Sequence, residues 1–228
     1  MNKVLNLIKK NNNLIKCVFT TLIVQLIVTF IVFYGLRDNE PELLNKIKNQ
    51  YPIIDKRPIT FFLFIPLAIM YILLSFIKKV KSFPLKIVFF VFFSMFIGLH
   101  LNLVKTNVSS ETIMFALFST ISIFVAMLSF AMLLINRGVD FLKYGGVLCF
   151  ILLLLIISLL MNIFLFKDTY FQKFLTFVGL ILFTIYIIYH TYTMLLLKTD
   201  FNNDCISGAI SYYLDFINIF TRLAYNNE

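Results

Sequence analysis

The feature that most constrains this chain is a series of apolar segments, each long enough to cross a lipid bilayer. The first is residues 17–36, CVFTTLIVQLIVTFIVFYGL, in which Gln25 is the most polar side chain. Twenty helical residues extend about 30 Å, the thickness of one hydrocarbon core. Lipid offers the backbone no hydrogen-bond partners, so such a segment is expected to cross the membrane as a helix.

Six further segments follow, and together they predict an all-α integral membrane protein with seven transmembrane helices in a single domain, residues 1–228. The composition agrees, because a chain that is 61% hydrophobic and only 14% charged cannot keep its apolar surface in water. A short N-terminal segment, residues 1–16, comes before the first span. The predicted spans are 17–36, 60–77, 87–104, 114–135, 147–166, 174–197 and 205–225.

The basic residues indicate a membrane partner. The net charge is +9, but the lysines and arginines lie between the apolar segments, where they attract lipid headgroups and set topology. We therefore expect the lipid bilayer as a partner and exclude nucleic acid. Residues 1–16 hold four lysines and no acid, which predicts a cytosolic N-terminus.

The three cysteines, Cys17, Cys149 and Cys205, form no CxxC pair and have no histidine at metal-ligand spacing. We expect them to serve as plain small residues. The sequence predicts neither a metal site nor a cofactor.

Polar residues recur along one face of the last apolar segment, at alternating spacings of four and three. In hydrocarbon an ionisable side chain costs roughly 2.5–3.5 kcal/mol, so Asp215 should face a bundle interior or a watery cavity. Asp215 is the predicted functional centre, with Ser211, Asn218 and Arg222 in support. The whole stripe is Asp204, Gly208, Ser211, Asp215, Asn218 and Arg222.

The sixth segment carries a second titratable group, His190, on the same face as Tyr186 and Thr193. A short loop joins segments six and seven, so they should be antiparallel neighbours, with His190 close to Asp215. A histidine beside an aspartate is a candidate for a proton-sensitive lock between the two helices.

Residues 179–191, GLILFTIYIIYHT, and 207–223, SGAISYYLDFINIFTRL, resemble the end of the Bax inhibitor motif family. That family includes Bax inhibitor, the Lifeguard proteins and the Golgi anti-apoptotic proteins, some of them encoded by viruses. Its seventh helix carries a Leu-Tyr-Leu-Asp-Ile-Ile-Asn-Leu-Phe pattern, which Tyr212–Phe220 is similar to. The resemblance implies six helices around a central seventh in endoplasmic reticulum or Golgi membrane. It also implies a calcium leak, suppression of cell death, and apoptosis-related membrane proteins as partners.

The resemblance also implies the site residues. In family members one aspartate from helix six and one from helix seven share a proton and gate the pathway with pH. Asp215 matches the second of these, but His190 stands where the family has the first, and Ile97 replaces an acid of helix three. Asp204 falls where related proteins have an acid before helix seven. The implied ion-pathway and pH-sensing residues are thus Asp215, His190 and Asp204, with calcium as the transported ion.

Two other functions stay open. A proton-coupled small-solute transporter would show inverted repeats with paired Gly or Pro interruptions, which the sequence lacks. A seven-helix receptor fits the number of segments, but the N-terminus and loops are short for ligand binding. An enzyme is not expected, because neither HExxH nor a paired-acid motif is present.

Overall fold

The computed structural model of the chain describes residues 2–37, 82–104, 109–196 and 204–226. These residues form helices without any strand among them, which confirms the predicted all-α class. A 3-10 turn, Leu142–Tyr144, leads into the fifth helix, and a π-helical turn, Asn162–Phe166, follows it. The α-helices are α1 (Asn2–Lys10), α2 (Asn12–Arg37), α3 (Phe83–Val104), α4 (Ser110–Asn136), α5 (Gly145–Met161), α6 (Thr169–Leu196) and α7 (Cys205–Asn226).

Five helical segments are long and apolar enough to cross a membrane, which makes this a multi-pass membrane protein. They lie in α2 to α6, where the α5 segment includes its flanking turns. The predicted second span, residues 60–77, falls outside the described residues. The last predicted span coincides with α7, whose polar stripe leaves it less apolar than the other five. The count of seven spans therefore stays a prediction. The five segments are Asn12–Gly35, Phe83–Leu101, Ser110–Asn136, Leu142–Phe166 and Thr169–Leu196.

The chain divides into two compact units, residues 1–22 with 108–228, and residues 23–107. In the second unit α2 and α3 are joined by buried polar side chains. The Ser94 hydroxyl donates to Gln25 Oε1 at 2.7 Å, and the Thr29 hydroxyl lies 3.3 Å from the Ser94 carbonyl oxygen. Polar side chains stabilise such helix pairs in lipid by bonding to each other across the interface.

Gly98 allows the two backbones of this pair to approach closely. A Cβ atom at this position would lie 2.5 Å from the Thr29 carbonyl oxygen and 3.0 Å from the Val32 Cβ. Glycine is the residue that permits such contact between membrane helices.

In the first unit α7 is the central helix. None of residues 204–224 is exposed, and the side chains of Ile206, Tyr212 and Phe220 are completely buried. Helices α4 and α6 pack against α7. Phe124 of α4 meets two of its aromatic rings, Tyr212 at 5.7 Å and Phe216 at 5.9 Å. The central position that the family resemblance implied for the last helix thus holds within this unit.

The remaining helices of the unit pack against α4 and α6. Leucines fill the contact between α5 and α6, among them Leu148, Leu155 and Leu182. At the start of the chain, α1 packs against α4 and α6. The Asn11 side-chain amide that follows α1 donates to the Leu195 carbonyl oxygen near the end of α6, at 3.1 Å.

The cysteine expectation is wrong for two of the three residues. Cys17 near the start of α2 and Cys205 at the start of α7 form a disulfide, with their Cα atoms 5.7 Å apart. They are 188 residues apart in sequence, and only the packing of α2 beside α7 brings them together. Cys149 remains a free thiol and is exposed.

Replacing Gly98 with alanine should destabilise the α2–α3 pair, because the added methyl group meets backbone that cannot simply turn away. We expect a loss of about 1–3 kcal/mol in the free energy of unfolding, as for other overpacked sites. Thermal unfolding in detergent measures it. Gly146→Ala is the matched control, since nothing lies within 4 Å of the added atom. Equal melting temperatures for the two variants would contradict close packing at Gly98.

Candidate functional site

The site begins with the cap of α7. The Asp204 carboxylate accepts the Ile206 backbone N–H at 3.2 Å and the Ser207 hydroxyl at 2.9 Å. An aspartate in this position satisfies free N–H groups and lies at the positive end of the helix dipole. Asp215 lies eleven positions further along the helix, about 16 Å along its axis. Its observed role is helix capping; the predicted role in an ion pathway stays a prediction.

His190 and Asp215 meet between α6 and α7. The His190 Nδ1 atom lies 2.7 Å from Asp215 Oδ2, and the side chains are only 17% and 3% exposed. The two helices run antiparallel, because residues further along α7 contact residues earlier in α6. The contact that the sequence predicted is therefore present. Asp215 is the one buried carboxylate among the described residues.

Aromatic rings enclose His190. Tyr186 lies 5.5 Å from the imidazole between ring centroids, Tyr189 5.9 Å and Tyr212 6.1 Å. The Tyr212 hydroxyl donates to the Thr191 hydroxyl oxygen at 3.0 Å. This bond holds α7 to α6 one turn from the His190–Asp215 contact. It also fixes the ring that covers the histidine.

This arrangement can exist in charge states that differ in strength. A protonated imidazole and an ionised carboxylate form a charged hydrogen bond, whereas a neutral imidazole leaves the carboxylate charge uncompensated. A protonated carboxyl group beside imidazolium loses the ion pair. The contact can therefore respond to protons without any movement of the backbone.

The other stripe residues do not join this pair. The Ser211 hydroxyl donates to the Ser207 carbonyl oxygen at 3.2 Å, and the Asn218 amide donates to the Leu214 carbonyl oxygen at 2.8 Å. Both bonds lie within α7 and satisfy polar groups inside an apolar bundle. Their supporting role in function stays a prediction.

Arg222 ends the stripe as a contact to α6. Its Nη1 atom donates to the carbonyl oxygens of Leu175 at 3.1 Å and Thr176 at 3.3 Å, and the guanidinium lies 5.4 Å from the Phe183 ring centroid. Gly179 provides the space, because a Cβ atom there would overlap the guanidinium group. Arg222 thus has partners on α6, and its predicted supporting role in function stays a prediction.

Sequence reasoning missed two parts of this region. The first is Gly179, because no polar pattern beside it in the sequence indicates that an arginine packs there. Phe19, which stacks on Tyr212 at 5.5 Å, is one apolar residue among many in its span. Among the described residues no group of three or more His, Cys, Asp or Glu side chains could hold a metal ion.

We expect Gly179→Ala to lower the melting temperature, because its methyl group displaces the Arg222 guanidinium from the α6 carbonyl oxygens. Adding Arg222→Ala should then remove the overlap, so that the double variant melts above Gly179→Ala alone or level with Arg222→Ala. Thermal unfolding in detergent compares the three. Gly146→Ala controls for adding a methyl group to a helical glycine. Independent, additive losses from the two changes would show that Arg222 does not occupy the space at Gly179.

Two comparisons with known proteins identify the family of this chain. Residues 11–225 match the family described as inhibitor of apoptosis-promoting Bax1. The chain is also 34% identical over 158 residues to Bax inhibitor 1 of Schizosaccharomyces pombe, a match that covers 67% of this chain. It spans 55% of the length of that curated relative. The family match begins just after α1 and runs to the last turn of α7, and on that basis the chain belongs to the Bax inhibitor family.

Proposed function

We propose that this protein is a membrane regulator that inhibits apoptosis and forms a pH-sensitive calcium leak pathway in endoplasmic reticulum or Golgi membrane. It acts without catalysing a reaction. Calcium is the transported ion, and apoptosis-related membrane proteins are its partners. Membership of the Bax inhibitor family supports the regulatory role.

The observation that carries the pH-sensitive part is the buried contact between His190 and Asp215. It joins the central helix to α6 through two groups that both exchange protons. Histidine changes charge in the physiological pH range more readily than any other side chain. The strength of such a contact between neighbouring helices therefore depends on protonation.

The charged pair is the closed state. With His190 protonated and Asp215 ionised, the hydrogen bond is charge-assisted, and α6 is held most firmly to α7. The positive imidazole also cancels the carboxylate charge and repels an approaching divalent cation.

Loss of the histidine proton opens the pathway. The Asp215 carboxylate then presents an uncompensated negative charge, and carboxylate oxygens are the ligands that calcium prefers. Protonation of Asp215 also weakens the contact between His190 and Asp215, but a neutral carboxyl group has no charge to attract calcium. We therefore expect the leak to rise mainly on the alkaline side of the window in which the pair is charged.

Asp215→Asn should abolish the pH dependence of calcium efflux from liposomes that contain the purified protein, because an amide carries no charge that His190 compensates when protonated and leaves uncompensated when neutral. His190→Asp should give a different pH profile, since it recreates two carboxylates that cannot both ionise in one apolar site. A calcium dye records efflux across a pH series for each variant.

Two variants outside the pair are the controls. Asp168→Asn keeps the N-cap of α6, where Asp168 accepts the Tyr170 N–H at 2.8 Å, and makes the same chemical change far from the pair. His100→Gln removes the other histidine of the chain. Both should retain the wild-type profile. Efflux from Asp215→Asn that follows pH as the wild type does would contradict the proposal.

A further inference from the structure

The Cys17–Cys205 disulfide joins the starts of two helices, beside the candidate site. Its Cα separation of 5.7 Å falls in the range of protein disulfides. Cys205 is buried and Cys17 is half-buried where the first turns of α2 meet the first turns of α7. Cys149 remains outside this pair as an exposed thiol.

A second contact connects the disulfide to the site. Phe19, two residues after Cys17, stacks on Tyr212 with ring centroids 5.5 Å apart. Tyr212 in turn donates to Thr191 and covers the imidazole of His190. The start of α2 is thus fastened to α7 at two points, and the second is part of the enclosure of the His190–Asp215 contact.

The disulfide lies at the end of the unit that carries the basic N-terminal segment. Asn11, which joins α1 to α2, bonds to the end of α6 at Leu195, and Cys17 follows within two turns. The charge of residues 1–16 predicts that this end faces the cytosol. Cytosolic thiols are kept reduced, and disulfides that form there are usually transient.

We propose that Cys17 and Cys205 are a reversible redox modification site, a dithiol in resting cells whose oxidation to the disulfide locks α7 to α2. The lock itself does not depend on ion conduction. Its consequence, a slower calcium leak from the oxidised protein, rests on the function proposed above.

The chemistry needs an oxidant that the cell supplies as a peroxide. One thiolate attacks hydrogen peroxide, forming a sulfenic acid and releasing hydroxide, which takes up a proton to become water. The second thiolate attacks the sulfenic sulfur, forming the S–S bond and releasing a second water. In sum, two thiols lose two electrons and two protons, and one peroxide becomes two waters. Two glutathione thiols reverse the reaction through a mixed disulfide and become oxidised glutathione.

Thiol counting tests the site on the full chain carrying Cys149→Ser, reconstituted in liposomes. After treatment the protein is denatured, and a maleimide polymer marks each free thiol by a gel shift. We expect two labels in a glutathione buffer at the cytosolic ratio and none, in a monomer, after hydrogen peroxide. Two labels after peroxide, a crosslinked dimer, or a disulfide that the cytosolic buffer leaves intact would each overturn the proposal. Adding Cys17→Ser should give one label in the glutathione buffer, because no second thiol remains to pair with Cys205.

Hydrogen exchange tests the lock without any ion flux. Reduction should speed amide exchange several-fold in residues 205–212 and leave α5 unchanged; equal exchange in both redox states would overturn the lock. Calcium efflux should then fall on oxidation in Cys149→Ser but not in a variant that also carries Cys17→Ser and Cys205→Ser. Efflux that is present and unaffected by oxidation would overturn the consequence. Absence of efflux under every condition would refute the proposed function, while thiol counting and exchange still decide the lock.

Discussion

A carboxylate inside an apolar helix bundle must have a partner, and the first unit is arranged around that requirement. An isolated ionised aspartate in such surroundings costs several kcal/mol, and a hydrogen-bonded cationic or neutral neighbour removes much of that penalty. Asp215 finds this neighbour in His190, at 2.7 Å on the adjacent antiparallel helix. The register of α6 against α7 follows, because sliding either helix by one turn would leave the carboxylate unpaired.

The same register of α6 against α7 brings the other interhelical contacts of the central helix together. Tyr212 reaches Thr191 on one side of the pair, and Arg222 reaches the start of α6 two turns along α7 on the other. The Tyr212 contact joins two side chains, and the Arg222 contact joins a side chain to backbone. Neither residue is exposed. Among these contacts, only the His190–Asp215 contact joins an imidazole to a carboxylate, two groups that both exchange protons. The proton-sensitive His190–Asp215 contact therefore lies between contacts whose strength does not depend on these protons. A change of protonation can then weaken this contact while the other contacts hold α7 in place.

The contact between His190 and Asp215 could be predicted from sequence because helical spacing and a short loop determine which faces of two neighbouring helices meet. The enclosure of α7 could also be predicted, since its polar stripe is costly in lipid. Cys17 and Cys205 could not be paired in this way. Their approach depends on how the first span packs against the last, and no local pattern records that packing. Gly179 was missed for a similar reason, because the space it leaves becomes meaningful only when Arg222 points into it. The number of spans stays open, since residues 60–77 lie outside the described residues and α7 is less apolar than the other helices.

The central claim is that His190 and Asp215 act as one unit, and a double-mutant cycle on unfolding tests it most directly. The free energy of unfolding is measured in mixed detergent micelles for the wild type, His190→Ala, Asp215→Ala and the double variant. The account predicts that the double variant loses little beyond Asp215→Ala, with a coupling energy of about 1–3 kcal/mol between the two changes. Losses that add to within about 0.5 kcal/mol would show that the two side chains act independently and would contradict the account.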